Sequence, residues 1–420
     1  MKKKMLQIDE QLVKDNLINL KQIVFEVTEQ CNLNCKYCGL SEQLYDTYEE
    51  RTNRNLSFEK AKLIIDYLLD LWKDNHVADT VSRFTVSFYG GEPLLNVPLI
   101  RKIIDYIEQA AIVGRQIRYS MTTNAMLLDK HIDFLAEKNV SLLVSLDGDE
   151  EAQSYRIDHS GNNSFHQIMH NVKLAQNKYP DYFNTSVNFI SVLHNRNDVE
   201  PLLRFFNTYF DKTPMIVLLN SSGVSEHKKE EFRKMYQNMA QSLMKSPNCE
   251  AIETEHFLTM PKGYRLSKNL YSVSGNIFYN YNQLLLQKIA DNELYTGTCT
   301  PFAKRLFVTV DGKILPCERI DHDFALGYVH DDFVELDYKH VAERHNYYTS
   351  KFENQCIACA VNKSCPRCVY QIDGIREQEA YCEGFCTKEA AEKEKQQIFS
   401  YLRQHPHYYE RVLNEVSFNV

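Results

Sequence analysis

Between residues 20 and 220, short β-branched or aromatic runs alternate with amphipathic helix patterns. This alternation limits the fold more than any other feature of the chain. The strand-like runs lie at 23–28, 84–89, 117–121, 141–146, 187–193 and 215–219. Ser57 precedes a helical pattern in which Ile64, Ile65, Leu68 and Leu69 share one face. Segment 98–109 repeats it with Leu99, Ile100, Ile103 and Ile107, and further helical segments fall near 129–138, 165–176 and 198–209. Strands separated by helices pair in parallel, because the helix is the crossover. The expectation is an α/β fold, a parallel sheet curved into a partial barrel over residues 21–220. Ligands gather at the C-terminal strand ends of such sheets.

The chain has 420 residues, too many for one small domain. Apolar residues make up 44% of it, enough for a sizeable core. The net charge of −8, from 48 basic and 56 acidic residues, points to neither a general nucleic-acid binder nor a membrane-surface protein. The opening MKKKM resembles the start of a signal peptide, but no apolar stretch follows it. No apolar run approaches the ~18 residues of a transmembrane helix. The expected location is the cytoplasm, with no nucleic-acid or membrane partner. Residues 1–20 read as an N-terminal segment and 221–298 as a polar, partly helical bridging region. Residues 299–387 read as a cysteine-rich module, and 388–420 as a charged helix (388–404) with a tail.

Twelve cysteines are spread unevenly: three at 31–38, one at 249 and eight between 299 and 386. In a cytosolic chain of this size, close spacing points to metal rather than to disulfides. The first group, CNLNCKYC, follows the first strand with the spacing C-x3-C-x2-C. Three thiolates, from Cys31, Cys35 and Cys38, can hold three corners of a cubane cluster and leave the fourth iron open. A zinc loop is the rival, and it would want a fourth ligand close by. Tyr37 offers an aromatic face to a flat ligand such as adenine. The second strand runs into Tyr89-Gly90-Gly91-Glu92-Pro93, where paired glycines allow close backbone approach and Glu92 offers an acceptor. The third leads into Thr123 and Asn124, a hydroxyl and an amide suited to ribose. The fourth leads into Ser145-Leu146-Asp147-Gly148, with Arg156, suited to a carboxylate, shortly after. Asn195 and Leu218, near the ends of the last two strands, are weaker candidates.

With these motifs the chain resembles the radical S-adenosylmethionine (SAM) superfamily, whose signature is this cysteine spacing with an aromatic residue before the third cysteine. The resemblance implies a TIM-like partial (β/α)6 barrel and a [4Fe–4S] cluster whose open iron is chelated by SAM. It further implies reductive cleavage of SAM to methionine and a 5′-deoxyadenosyl radical, which takes a hydrogen atom from substrate. The family's GGEP element corresponds to Gly90, Gly91, Glu92 and Pro93 and contacts the SAM amino group. Ser145 and Arg156 carry over as SAM contacts.

The later cysteines run Cys299-x12-Gly312-x4-Cys317, Cys356-x2-Cys359-x5-Cys365-x2-Cys368, then Cys382 and Cys386. Eight thiolates suit two fully ligated [4Fe–4S] clusters or, equally by count, two tetrahedral zinc sites. The order resembles the SPASM extension of radical SAM maturases, which holds two auxiliary clusters, for three clusters in all. That resemblance implies Cys299, Cys317 and Cys368 on the inner auxiliary cluster and Cys356, Cys359, Cys365 and Cys382 on the outer. Two departures are a spacing of two rather than three residues before Cys368, and the extra Cys386. Cys386 would complete the inner cluster or exchange roles with Cys382. Glu318, directly after Cys317, stands where sulfatase-maturing members carry an aspartate base.

The function implied is maturation of a ribosomally made precursor peptide by an oxidative cross-link: thioether, ether or carbon–carbon. A flavodoxin- or ferredoxin-type protein would be the one-electron reductant. The rivals are anaerobic sulfatase maturation to formylglycine, a small-molecule dehydrogenase and a non-catalytic zinc scaffold. Only 30 residues precede Cys31, too few for a leader-binding domain. Leader recognition is therefore expected in residues 221–298, at the barrel edge or on a separate leader-binding protein.

Overall fold

The computed structural model describes residues 3–40, 43–46, 51–74, 82–110, 112, 114–274, 293–294, 296–362, 365–378 and 380–416. Two compact units divide the chain: Asp9–Asn238 with Pro301–Val341, and Met1–Ile8 with Met239–Thr300 and Ala342–Val420.

In the larger unit, all six strand-like runs are strands: β2 (Gln22–Thr28), β3 (Ser82–Gly90), β4 (Arg115–Thr123), β5 (Ser141–Ser145), β6 (Val187–Leu193) and β7 (Met215–Leu218). They pair in parallel in sequence order. The crossovers are the helices Phe58–Asp74, Val97–Gln109, Leu128–Glu137, Phe165–Lys178 and Val199–Phe210. Ser57 caps the first of these, its hydroxyl accepting from the Lys60 N–H at 3.1 Å. β2 is buried along nearly its whole length, as expected of a parallel strand covered on both faces. Phe189 on β6 stacks on Phe210 at 4.6 Å and lies 4.8 Å from Phe206, so the last crossover helix is held by aromatic packing.

The sheet has ten strands, not six. β9 (Leu306–Val308) pairs in parallel with β2, and β10 (Lys313–Leu315), β11 (Gly327–Val329) and β12 (Val334–Glu335) continue it as an antiparallel meander. Residues 301–341, read from the sequence as the start of the cysteine-rich module, thus extend the parallel sheet on its first strand. Local pattern cannot reveal this, because the pairing partner of β9 lies some 280 residues earlier in the chain.

In the smaller unit, β1 (Lys4–Met5) pairs in parallel with β8 (Glu293–Leu294). Helices Pro261–Ser274, Lys388–Gln404 and His407–Glu415 share a core of Phe257, Leu266, Ile398, Leu402, Tyr408 and Val412. The Lys388–Gln404 helix is the one read at 388–404, capped by Thr387, and a further helix follows it. The bridging region is largely helical as far as residue 274. Its residues 275–292 and 295 lie outside the described residues.

Candidate active site

Because β2–β7 are parallel, their C-terminal ends line one edge of the sheet. The cysteine loop follows β2, Gly90 ends β3, Thr123 ends β4 and Ser145 ends β5. His194 and Asn195 follow β6, and Leu218 ends β7. The motif positions picked from the sequence therefore share one edge.

The loop carrying Cys31, Cys35 and Cys38 is shaped by two neighbours. On one side lies the glycine pair. The Gly91 N–H donates to the Thr28 carbonyl at 2.8 Å, and the Glu92 N–H to the Gln30 carbonyl at 2.7 Å. A Cβ on Gly91 would stand 2.1 Å from the Gln30 oxygen, and one on Gly90, where φ is +143°, 2.3 Å from the Thr28 oxygen. Only glycine lets β3 lie this close to the approach to Cys31. On the other side, segment 155–159 clasps the loop: Asn34 N–H to Ile157 carbonyl at 2.7 Å, Lys36 N–H to Tyr155 carbonyl at 3.0 Å, and His159 Nε2 with the Cys31 carbonyl at 2.8 Å.

Glu92 is buried. Its Oε1 accepts from the Leu94 N–H (3.1 Å) and the Thr123 hydroxyl (2.6 Å), and its Oε2 from the Asn124 N–H (2.7 Å). Three of four lone-pair directions are taken, leaving one on Oε2. Burial pushes its carboxyl up to about 7, against the lowering effect of those donors. Asn124 donates through Nδ2 to Asn32 Oδ1 at 2.7 Å and lies 3.8 Å from Cys31 Sγ. Thr123 and Asn124, read as ribose contacts, thus also tie Glu92 to the cysteine loop.

Tyr37 and Arg156 differ from expectation. Tyr37, read as a face for a flat ligand, is itself buried. Its hydroxyl donates to Asp147, with Arg156 5.3 Å and His194 5.7 Å from its ring centre. Arg156, read as free for a ligand carboxylate, binds the chain's own: its Nε and Nη2 each donate to Asp147 at 3.0 Å. Asp147 also accepts from the Val192 N–H at 2.9 Å. Burial raises the Asp147 carboxyl, but Arg156 and His194 more than offset this and hold it near 2. His194 Nδ1 accepts from the Arg196 N–H at 3.2 Å, so in the neutral ring the proton sits on Nε2, 3.6 Å from Asp147 Oδ2. Asp147 and His194 were not singled out in the sequence. The only signal was Asp147 within the SLDG motif, where an acid after a strand reads as a turn residue. Asn195 accepts from the Tyr155 hydroxyl at 3.0 Å, a loop contact, and Leu218 is exposed at its strand end.

Glu318 follows Cys317 after β10. Arg305 donates to it at 2.6 Å and Arg319 lies at 3.7 Å. Burial, then the charges of Glu318 and Cys38, push the Tyr89 hydroxyl up. Glu318 and Cys38 thus both act electrostatically on the hydroxyl at the end of β3. Burial followed by Glu318 pushes the Cys317 thiol up to about 12.

None of the twelve cysteines is in a disulfide. Burial pushes Cys31 up to about 11 and Cys35 to about 12, with the charge of Cys38 raising both. In the smaller unit, burial and then Cys365, Cys359 and Cys382 push Cys356 up to about 12. Cys386 feels Cys359, and Cys368 feels Cys299. Among the described residues, no three His, Cys, Asp or Glu side chains converge to hold a single ion. A cubane takes one thiolate per iron, so its ligands stand around the cluster rather than meeting at a point. Buried thiols that raise one another are costly as bare thiolates, and a bound cationic cluster removes that cost. The donor chemistry of the first loop fits such a group.

Comparison with known proteins agrees. The radical SAM superfamily profile matches residues 25–206. The cysteine-type anaerobic sulfatase-maturating enzyme of Clostridium novyi (strain NT) is 26% identical over 193 residues, 45% of this chain and 48% of that protein. The radical SAM cyclopropyl synthase TigE of Paramaledivibacter caminithermalis is 26% identical over 206 residues, 44% of this chain and 41% of that protein. The chain thus spans less than half the length of these curated relatives. The structure of native anSMEcpe with bound AdoMet and Cp18Cys peptide superposes with a TM-score of 0.60 over 94% of this chain and 99% of that one, at 18% identity, a likeness of fold. Residues 25–206 of this chain are a radical SAM domain, the domain of an enzyme superfamily that binds SAM at a [4Fe–4S] cluster.

Proposed function

We propose that the chain is a radical SAM maturase that installs an oxidative cross-link in a ribosomally made peptide. The observation carrying this reading is the three-cysteine loop clasped between the Gly90–Gly91 pair and segment 155–159, at the strand-end edge of a radical SAM domain. When bound, the cluster and SAM supply the 5′-deoxyadenosyl radical that takes a hydrogen atom from substrate.

Cys31, Cys35 and Cys38 would hold that cluster. The remaining acceptor direction on Glu92 Oε2 suits an amino group. Thr123 and Asn124 keep Glu92 in place, and Ser145 at the end of β5 provides a further polar contact. The eight later cysteines would hold two auxiliary clusters of the SPASM kind. The mutual electrostatic effects of Cys356 with Cys359, Cys365 and Cys382, and of Cys368 with Cys299, favour the outer and inner sets, and that of Cys359 on Cys386 favours Cys386 exchanging roles with Cys382. Glu318, directly after Cys317, would accept the proton that substrate releases. Forming one new bond removes a hydrogen atom, a proton and an electron, and an auxiliary cluster held by the later cysteines would supply an acceptor for that electron. A flavodoxin- or ferredoxin-type protein would supply reducing electrons in the cytoplasm. No helix among the described residues is long and apolar enough to cross a membrane. Leader recognition would fall to 221–298 or to a separate protein.

Formylglycine formation is the second reading, favoured by two sulfatase-maturating relatives, at 26% and 27% identity. Glu318 in place of aspartate weighs mildly against it. Mass spectrometry of a candidate peptide after anaerobic reaction separates the two. A cross-link loses ~2 Da and leaves no aldehyde, whereas formylglycine from cysteine loses ~18 Da. Formylglycine from serine also loses ~2 Da but reacts with a hydrazine probe. A hydrazine-reactive product would overturn the cross-link reading. Colourless protein with stoichiometric zinc after anaerobic isolation would overturn both.

A further inference from the structure

Asp147 lies at the centre of the device that shapes the cysteine loop. Four donors reach its two oxygens: Tyr37 Oη and Arg156 Nε on Oδ2, Arg156 Nη2 and the Val192 N–H on Oδ1. It is fully buried, with every acceptor direction in use. Tyr37 belongs to the cysteine loop. Arg156 belongs to the segment that clasps it through Ile157, Tyr155 and His159. One carboxylate therefore joins the loop to its clasp, and Val192 ties both to β6.

We propose that Asp147 is a positioning residue for the cluster loop: by holding Tyr37 and Arg156 at once it sets the orientation of the three cysteines, and so the geometry in which SAM meets the open iron. The inference rests on the radical SAM reading. In Asp147→Asn one oxygen becomes an NH2 group. Whichever way the amide turns, it presents donors either to Tyr37 and Arg156 Nε or to Arg156 Nη2 and Val192. The side-chain tie between loop and clasp is then broken on one side, while their three direct hydrogen bonds and all three cysteines remain.

The test uses the full chain, reconstituted anaerobically with iron and sulfide. SAM affinity is measured by equilibrium dialysis, and the spectrum of the reduced cluster by electron paramagnetic resonance with and without SAM. Circular dichroism follows folding separately. D147N is expected to keep its iron, lose affinity for SAM about tenfold and show a blunted SAM-induced spectral change. Y37F should lose affinity about threefold, and the double variant should be no weaker than D147N, because both act through one contact. Wild-type affinity and spectrum in D147N, or losses that multiply in the double variant, would overturn the inference. If D147N does not fold, Y37F decides alone: it deletes one hydroxyl, and an unchanged spectrum and affinity refute the role. Wild-type protein that takes up neither iron nor SAM removes the radical SAM reading, and this inference with it. D147N matching a functional wild type removes only the inference.

Discussion

Glu92 and Asp147 are both buried carboxylates on the strand-end edge, yet their environments act in opposite directions. Glu92 has three neutral donors and no cation, so burial dominates and its carboxyl rises to about 7. Asp147 has Arg156, so it falls to about 2. The stability consequences are opposite in sign. A carboxyl raised on folding binds its proton more tightly in the native state. Its contribution is present below the unfolded value and lost as pH rises through about 7; for Glu92 the change is about 3 kcal/mol. The Asp147 contribution is present above the ordinary aspartate value and lost as pH falls towards 2. Glu92→Gln keeps the Oε1 acceptor but sets an amide against the Asn124 N–H, at a cost of about 1–3 kcal/mol. In urea unfolding, E92Q should be weaker than wild type at pH 4.5 and gain about 3 kcal/mol relative to it by pH 8, so that it equals or exceeds wild type there. A gap independent of pH would show that Glu92 does not titrate in this window.

At the scale of elements, the site depends on how closely β3 can approach the loop after β2. Gly91→Ala would drive a methyl into the Gln30 carbonyl, where backbone rather than a flexible side chain must move. We expect a loss of about 2 kcal/mol in urea unfolding, with reduced iron retention after reconstitution. Normal stability and iron content in G91A would mean that the glycine pair is not what admits the loop. Phe189, between Phe183, Phe206 and Phe210, fixes the last crossover helix, and F189A should cost about 3–5 kcal/mol in the same measurement. These elements were legible in the sequence: all six barrel strands and five helices fall where β-branched runs and apolar faces placed them. The meander β9–β12 was not. Its strands are two or three residues long, too short for a period, and only the pairing of β9 with β2 and of each later strand with the one before it defines them.

For the whole molecule, the expectation of three clusters becomes a count of iron. Reconstituted wild type should hold about twelve irons per chain, and C31A/C35A/C38A about eight, with SAM cleavage abolished. Loss of all iron in that variant would mean that the later cysteines do not hold clusters of their own. What the sequence by itself determined is whatever depends on near neighbours: the number and order of the barrel strands, the caps, and the spacing of Cys31, Cys35 and Cys38 behind the first strand. Periodicity and spacing are local, so they survive without a fold. Only the tertiary structure decided that Arg156 answers Asp147, that Tyr37 turns inward and that residues 306–335 extend the parallel sheet. A charged side chain in a sequence has no partner until burial removes water and makes one necessary. The Tyr37–Asp147 contact spans 110 residues, and only the closing of β2, β5 and β6 into one sheet brings it about.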